Sequence, residues 1–130
     1  MSSSEFVHVM ESFTLQPDKL QEFFEAVNPV IMKLEKTDPH VWHIYAIHTK
    51  TADGLDHVVL VEKYGCSALQ MTGIGADKLF NKRFSNEEAM ERVHGSPLLV
   101  EMAKKINPLL EEPAEFKHGQ VVLGFQDRQR

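Results

Sequence analysis

Apolar and polar positions alternate from Phe6 to Thr14, where Phe6, Val7, Val9, Met10 and Phe13 fall in a stretch too short for a helix. A first strand is expected there. The spacing then changes to threes and fours through Leu20, Phe23, Phe24, Val27, Val30, Ile31 and Leu34, which predicts an amphipathic helix. Pro17 is placed to open that helix, since its missing N–H costs nothing in the first turn. Pro29 should kink or split it, because a proline removes one backbone bond and crowds the carbonyl four residues earlier. Asp38-Pro39 ends the helix, Val41 to Thr49 reads as a second strand, and Ala52-Asp53-Gly54 turns the chain into a third over His57 to Tyr64.

Residues 65 to 84 are less regular. Ala68, Leu69 and Met71 suggest a short helix and Gly73-Ile74-Gly75 a loop, and Leu79, Phe80 and Phe84 are apolar beads among Lys78, Lys82 and Arg83. Ser85-Asn86-Glu87-Glu88 has capping-box spacing, so a helix is expected from Ser85, ending at Gly95. Ser96-Pro97 supplies a new cap and first turn for a stripe of Leu98, Leu99, Met102, Ile106, Leu109 and Leu110, closed by Pro108 and Pro113. Glu115 to Phe125 reads as a last strand and 126–130 as a polar tail.

Strand, helix, strand, strand, helices, strand is the order of a ferredoxin-like split βαβ sandwich of the α+β class. The first strand puts Val7, Val9 and Phe13 on one side and Phe6 and Met10 on the other, and the third sets Val58 and Leu60 against Val59 and Val61. Helices of one chain cover only one face of such a sheet, and the second apolar face is too large a patch to leave in water. A homodimer closed sheet to sheet into a dimeric α+β barrel is therefore predicted.

At 130 residues, 42% apolar and 25% charged, the chain is expected to be one domain spanning 1–130, with its core over about 6–118. The balance of 14 basic against 19 acidic residues, with no basic cluster, argues against nucleic acid as a partner. The start, Met1-Ser2-Ser3-Ser4-Glu5, has no basic-then-apolar leader and no apolar run is long enough for a bilayer, so a soluble cytoplasmic protein is expected, with no membrane partner. The single cysteine, Cys66, fits a reducing compartment and forms no cysteine-built zinc site. His48 and His57 flank the hairpin turn and could face each other, but no third ligand accompanies them and no metal site is expected.

Glu62 and Tyr64 at the end of the third strand, and His94 before the Ser96-Pro97 turn, bring a carboxylate, a phenol and an imidazole toward one apolar pocket. Each has a plainer reading: His94 as a capping or surface residue, Tyr64 as strand packing, Glu62 as a structural or dimer contact. On the second strand His43 and Tyr45 should share a face while Trp42 looks the other way, and one face could line the pocket. Phe80 and Phe84 could form a lid over an aromatic ligand or pack the core.

With Pro17 opening the first helix, Val61-Glu62-Lys63-Tyr64 closing a strand, and His94-Gly95-Ser96-Pro97-Leu98-Leu99 followed by Pro108-Leu109-Leu110-Glu111-Glu112-Pro113, the chain resembles the antibiotic biosynthesis monooxygenase family of dimeric α+β barrels over about residues 6–118. It departs from the family in having Tyr64 where a tryptophan often stands and in a longer segment before His94, and Ala68-Leu69 with Thr72 offers another alignment at that position. Glu11 or Ser12 stands where some haem-degrading and quinone-forming members use asparagine, which disfavours haem. The resemblance implies a cofactor-independent monooxygenase that oxidises a phenolic, anthrone or quinol-type aromatic substrate with dioxygen. His94 would then be the base, Tyr64 a donor to a substrate oxygen and Glu62 the group that orients the imidazole, with Trp42, His43, Tyr45, Phe80 and Phe84 as substrate-binding candidates. A non-catalytic dimeric ligand-binding or stress-response barrel, or an isomerase or cyclase using the same pocket, are the alternatives.

Overall fold

The computed structural model describes residues 6–65 and 82–120, with the side chains of 82–86 left out of the description. The elements are β1 (Val7–Thr14), α1 (Leu20–Thr37), β2 (Val41–Lys50), β3 (Asp56–Tyr64), α2 (Lys82–His94), α3 (Pro97–Ile106) and β4 (Glu115–Gly119), with a 3-10 turn over Asn107–Leu109. The four strands form one antiparallel sheet in the order β2-β3-β1-β4. This is the ferredoxin-like arrangement.

Phe23, Val27, Val30 and Leu34, at steps of four, three and four, are the buried stripe of α1. They meet Val7, Val9, Phe13, Val58, Leu60 and Tyr64 on the inner face of the sheet, joined by Met102 and Ile106 of α3 and by Met90 and Val93 of α2. The Phe13 and Phe23 rings, 5.2 Å apart, mark the centre of this layer. On the outer face Met10, Tyr45 and Ile47 are 51%, 52% and 46% exposed.

Five local expectations change. Helix α1 begins at Leu20 and not at Pro17, because Asp18 takes a left-handed conformation (φ 62°) that turns the chain first. It also runs unbroken through Pro29, which lies on the exposed side of the helix, so the Glu25 carbonyl it leaves without an intrahelical partner faces solvent. Helix α2 starts at Lys82, three residues before Ser85. A β-bulge between Val41 and His43 overturns the expected alternation of β2: Trp42 packs edge-on to Phe6 at 5.0 Å and under Lys63, while its Nε1–H donates to the Gly65 carbonyl. Lys63 and His43 pair across the strands, so Trp42 and His43 lie toward the same outer face. His48 pairs with Asp56 at 2.8 Å and His57 with Thr14 at 2.9 Å; the two occupy neighbouring positions of opposite parity and do not face each other. Phe80 and Cys66 lie outside the described residues, as do the side chain of Phe84 and the expected end of the last strand at Phe125.

The α2–α3 junction follows the sequence pattern. Gly95 N–H donates to Glu91 O at 2.9 Å, Ser96 Oγ accepts from Leu99 N–H at 3.5 Å and donates to Val93 O at 2.6 Å, and Pro97 opens α3. Because one hydroxyl serves both helix ends, Ser96→Ala should lower stability by about 1–2 kcal/mol, as loss of a helix cap does. Urea unfolding of the two proteins checks this.

Candidate functional site

Period-two alternation along β1 and β3 sets the site. Residues 7, 9, 11 and 13 share the inner face, as do 58, 60, 62 and 64, so Glu11 and Glu62 project into the layer that otherwise holds valine, leucine and phenylalanine. His94 reaches them from the last turn of α2, which Gly95 ends. The structure thus brings together the three residues His94, Tyr64 and Glu62, and adds Glu11, whose inward parity on β1 was the available signal. Trp42, His43 and Tyr45 lie toward the outer face, where they border a hollow shared with Ile31 and Ile44, and Tyr45 also lines the groove between α1 and β2.

Glu62 is 4% exposed and is the hub. The Tyr64 hydroxyl donates to its Oε1 at 2.5 Å, and His94 Nε2 lies 2.9 Å from the same oxygen. A carboxylate accepts only, so Nε2 carries a proton toward Glu62, and in the neutral ring Nδ1 is the nitrogen with a lone pair. Burial opposes the charge on Glu62, yet hydrogen bonds from His94, Glu11 and Tyr64 outweigh it and hold its pKa below the ordinary carboxylate value. Tyr64, fully buried beside that carboxylate, is pushed well above the usual phenol range. Its hydroxyl proton is directed at Glu62.

Glu11 is shifted the other way. Burial first, then its hydrogen bond to and repulsion by Glu62, raise its pKa to about 9, so at neutral pH it is a carboxylic acid. Its Oε1 is buried without a hydrogen-bond partner and lies 3.6 Å from His94 Nδ1. Glu11, Glu62 and His94 each place a ligand-type atom within 4.8 Å of the others, a set that could also hold a divalent cation. Phe116 of β4, opposite Glu11, stacks edge-on to the His94 ring at 5.0 Å.

The space beside these groups is small. A cavity of about 10 Å³, room for one water, touches Glu11, Glu62 and Tyr64 and is otherwise walled by apolar side chains of α1, α3 and the sheet. A larger open groove of about 640 Å³ lies between α1 and β2. It exists because α1 buries its stripe over β1 and β3, leaving the inward residues of β2 half covered or exposed. No helix among the described residues is long and apolar enough to cross a membrane.

No family model matches the chain, and no curated protein matches it. Solved structures do. A Caulobacter crescentus protein provisionally described as an antibiotic biosynthesis monooxygenase superposes with a TM-score of 0.64 at 13% identity over 93% of each chain. A Nitrosomonas europaea protein with the same provisional description gives 0.65 at 12% identity over 94% of this chain and 95% of that one. The Mycobacterium tuberculosis protein Rv0793 gives 0.59 at 18% identity over 96% and 99%. The fold is therefore shared with the antibiotic biosynthesis monooxygenase structures, nearly end to end.

Raising the Glu11 pKa from its ordinary 4.5 to about 9 means that the folded chain keeps a proton that the unfolded chain loses. Stability from this group is complete below the ordinary carboxylate range and is lost as pH rises toward about 9. Glu11→Gln, which keeps the shape without the titration, should therefore gain on the unaltered protein as pH rises from 6 to 8.5, by several °C in melting temperature given roughly 3–5 °C per kcal/mol at this length. Parallel thermal melts across that pH range decide it.

Proposed function

We propose that the protein is a cofactor-independent monooxygenase acting on a phenolic, anthrone or quinol-type aromatic with dioxygen, as a homodimer. The observation that carries this is an imidazole nitrogen beside a carboxyl group held neutral: His94 Nδ1 and Glu11 Oε1 are 3.6 Å apart, so an oxygen off the line between them comes within about 2.8 Å of both. A phenolic hydroxyl at that point gives its proton to Nδ1. Glu62, already bonded to Nε2–H, stabilises the imidazolium that forms, and Tyr64 fixes Glu62. The neutral Glu11 carboxyl, whose single proton is otherwise directed at Glu62, turns it to the phenolate oxygen as charge develops, a task that an ionised Glu11 would oppose by repulsion. This gives Glu11 the donor role expected of Tyr64. The resulting electron-rich anion then transfers an electron to dioxygen in apolar surroundings.

A second reading, a non-catalytic barrel that binds a small ligand, is favoured by the 10 Å³ size of the cavity beside Glu11. Oxygen uptake separates the two. Metal-free protein given 1,8-dihydroxyanthrone should consume dioxygen, and His94→Ala should lower the rate by about 10² to 10⁴, the usual contribution of a positioned base. An unchanged rate would remove His94 from the reaction, and no uptake by the unaltered protein would leave the binding module.

Support for the homodimer is the apolar outer face, on which Met10, Tyr45 and Ile47 are exposed with Val59 and Val61 half-buried between them. A second copy related by a two-fold axis covers like with like. Sedimentation at micromolar concentration should give a dimer, and Ile47→Lys should shift it to monomer by setting two like charges into the buried contact.

A further inference from the structure

The small cavity and the large groove are separated by a thin partition. Val27, Ile31 and Ile44 line both: on one side they face the space that touches Glu11, Glu62 and Tyr64, and on the other the groove between α1 and β2. Ile31 and Ile44 also border a third hollow, of about 470 Å³, toward Trp42. The Ile31–Ile44 seam thus separates the groove from the space beside Glu62 and Glu11, on the side away from the partly exposed His94.

Both walls of the seam are built to yield. On the helix side Pro29, two residues before Ile31, removes the bond that would tie position 29 to Glu25, and both residues line the groove. On the sheet side Ile44 belongs to β2, the edge strand, just after the bulge at Trp42. An edge strand is tied on one side only. The groove volume lies in the range of small-molecule sites, and its floor is the apolar pair Ile44 and Ala46 with Phe24 on the helix wall. Polar groups stand at its rim, in Gln21, Glu25 and Asn28. That is the chemistry of a flat, mostly apolar ring system bearing few polar substituents.

We propose that the α1–β2 groove is the docking and entry site for a planar aromatic phenol, and that Ile31 and Ile44 form the gate through which its hydroxyl edge reaches Glu11. The proposal rests on the oxygenase reading for the step beyond the gate, but docking in the groove can be read without turnover. A ring seated on Ile44 and Ala46 has Glu62 and Leu60 as the next positions of the sheet and Glu11 one strand farther, opposite Leu60, so parting two side chains joins the groove to the small cavity that all three line. Gate width then selects among substrates.

The test uses 1,8-dihydroxyanthrone and the single tryptophan, Trp42, which lines the hollow that shares Ile31 and Ile44 with the groove. Anaerobic titration should quench Trp42 fluorescence saturably. Ala46→Phe, at an exposed position where the added ring fills the groove floor without disturbing the core, should weaken binding at least tenfold with unchanged circular dichroism and melting temperature. Ile31→Ala, on the helix side of the gate, should raise kcat/KM for bulkier phenols relative to the smaller dihydroxynaphthalene. Binding by Ala46→Phe that equals the unaltered protein, or no saturable quenching in the unaltered protein, overturns the groove. Saturable binding lost in Ala46→Phe, with no oxygen uptake by any of the proteins, sustains the groove and sinks the oxygenase reading instead.

Discussion

A carboxylate sealed inside an apolar layer is the constraint around which this molecule is organised. Glu62 sits where β3 would otherwise present a fourth apolar side chain, and a buried charge is tolerated only when its oxygens are satisfied. Satisfaction comes from three elements: Tyr64 of the same strand, Glu11 of the neighbouring strand and His94 of α2. These contacts fix where the last turn of α2 must lie on the sheet. The same contacts set the protonation states, since a charged Glu62 makes a charged Glu11 untenable beside it.

From that follows the division of labour among four titratable groups. One carboxyl is held charged and the other neutral, within a few ångströms, by differences in burial, hydrogen bonding and the charges beside them. Such opposed carboxyl environments assign acid and base roles in many enzymes. Here they set one imidazole nitrogen against the charged carboxyl and the other toward the neutral one. The arrangement is equally a way to stabilise a polar cluster in a core, and the distinction rests on whether a ligand reaches it.

Much of the fold could be read from the chain, and the residues show why. The branched, alternating runs gave all three long strands within a residue or two, and Ser96-Pro97 marked its helix because a cap and a first-turn proline have direct backbone consequences. Pro17 misled because a single left-handed residue, Asp18, intervenes, and nothing local announces it. Trp42 misled because a bulge shifts parity without a sequence mark. His94, Glu62 and Tyr64 were legible as a group, whereas Glu11 carried its signal only in strand parity: a glutamate in step with Val7, Val9 and Phe13 is either a wet edge or a buried acid, and only its partners decide.

Positions 11, 62 and 94 come from opposite ends and the middle of the chain, so the cluster cannot assemble from any local fragment. Its loops must close first, and closure of distant segments is the slow part of folding for such topologies. Until it does, Glu62 faces water and is an ordinary carboxylate. The cluster is thus a proofreader of its own tertiary structure: a chain that has collapsed without pairing β1 to β3 and docking α2 has an unpaired charge in its centre, and is driven back toward solvent.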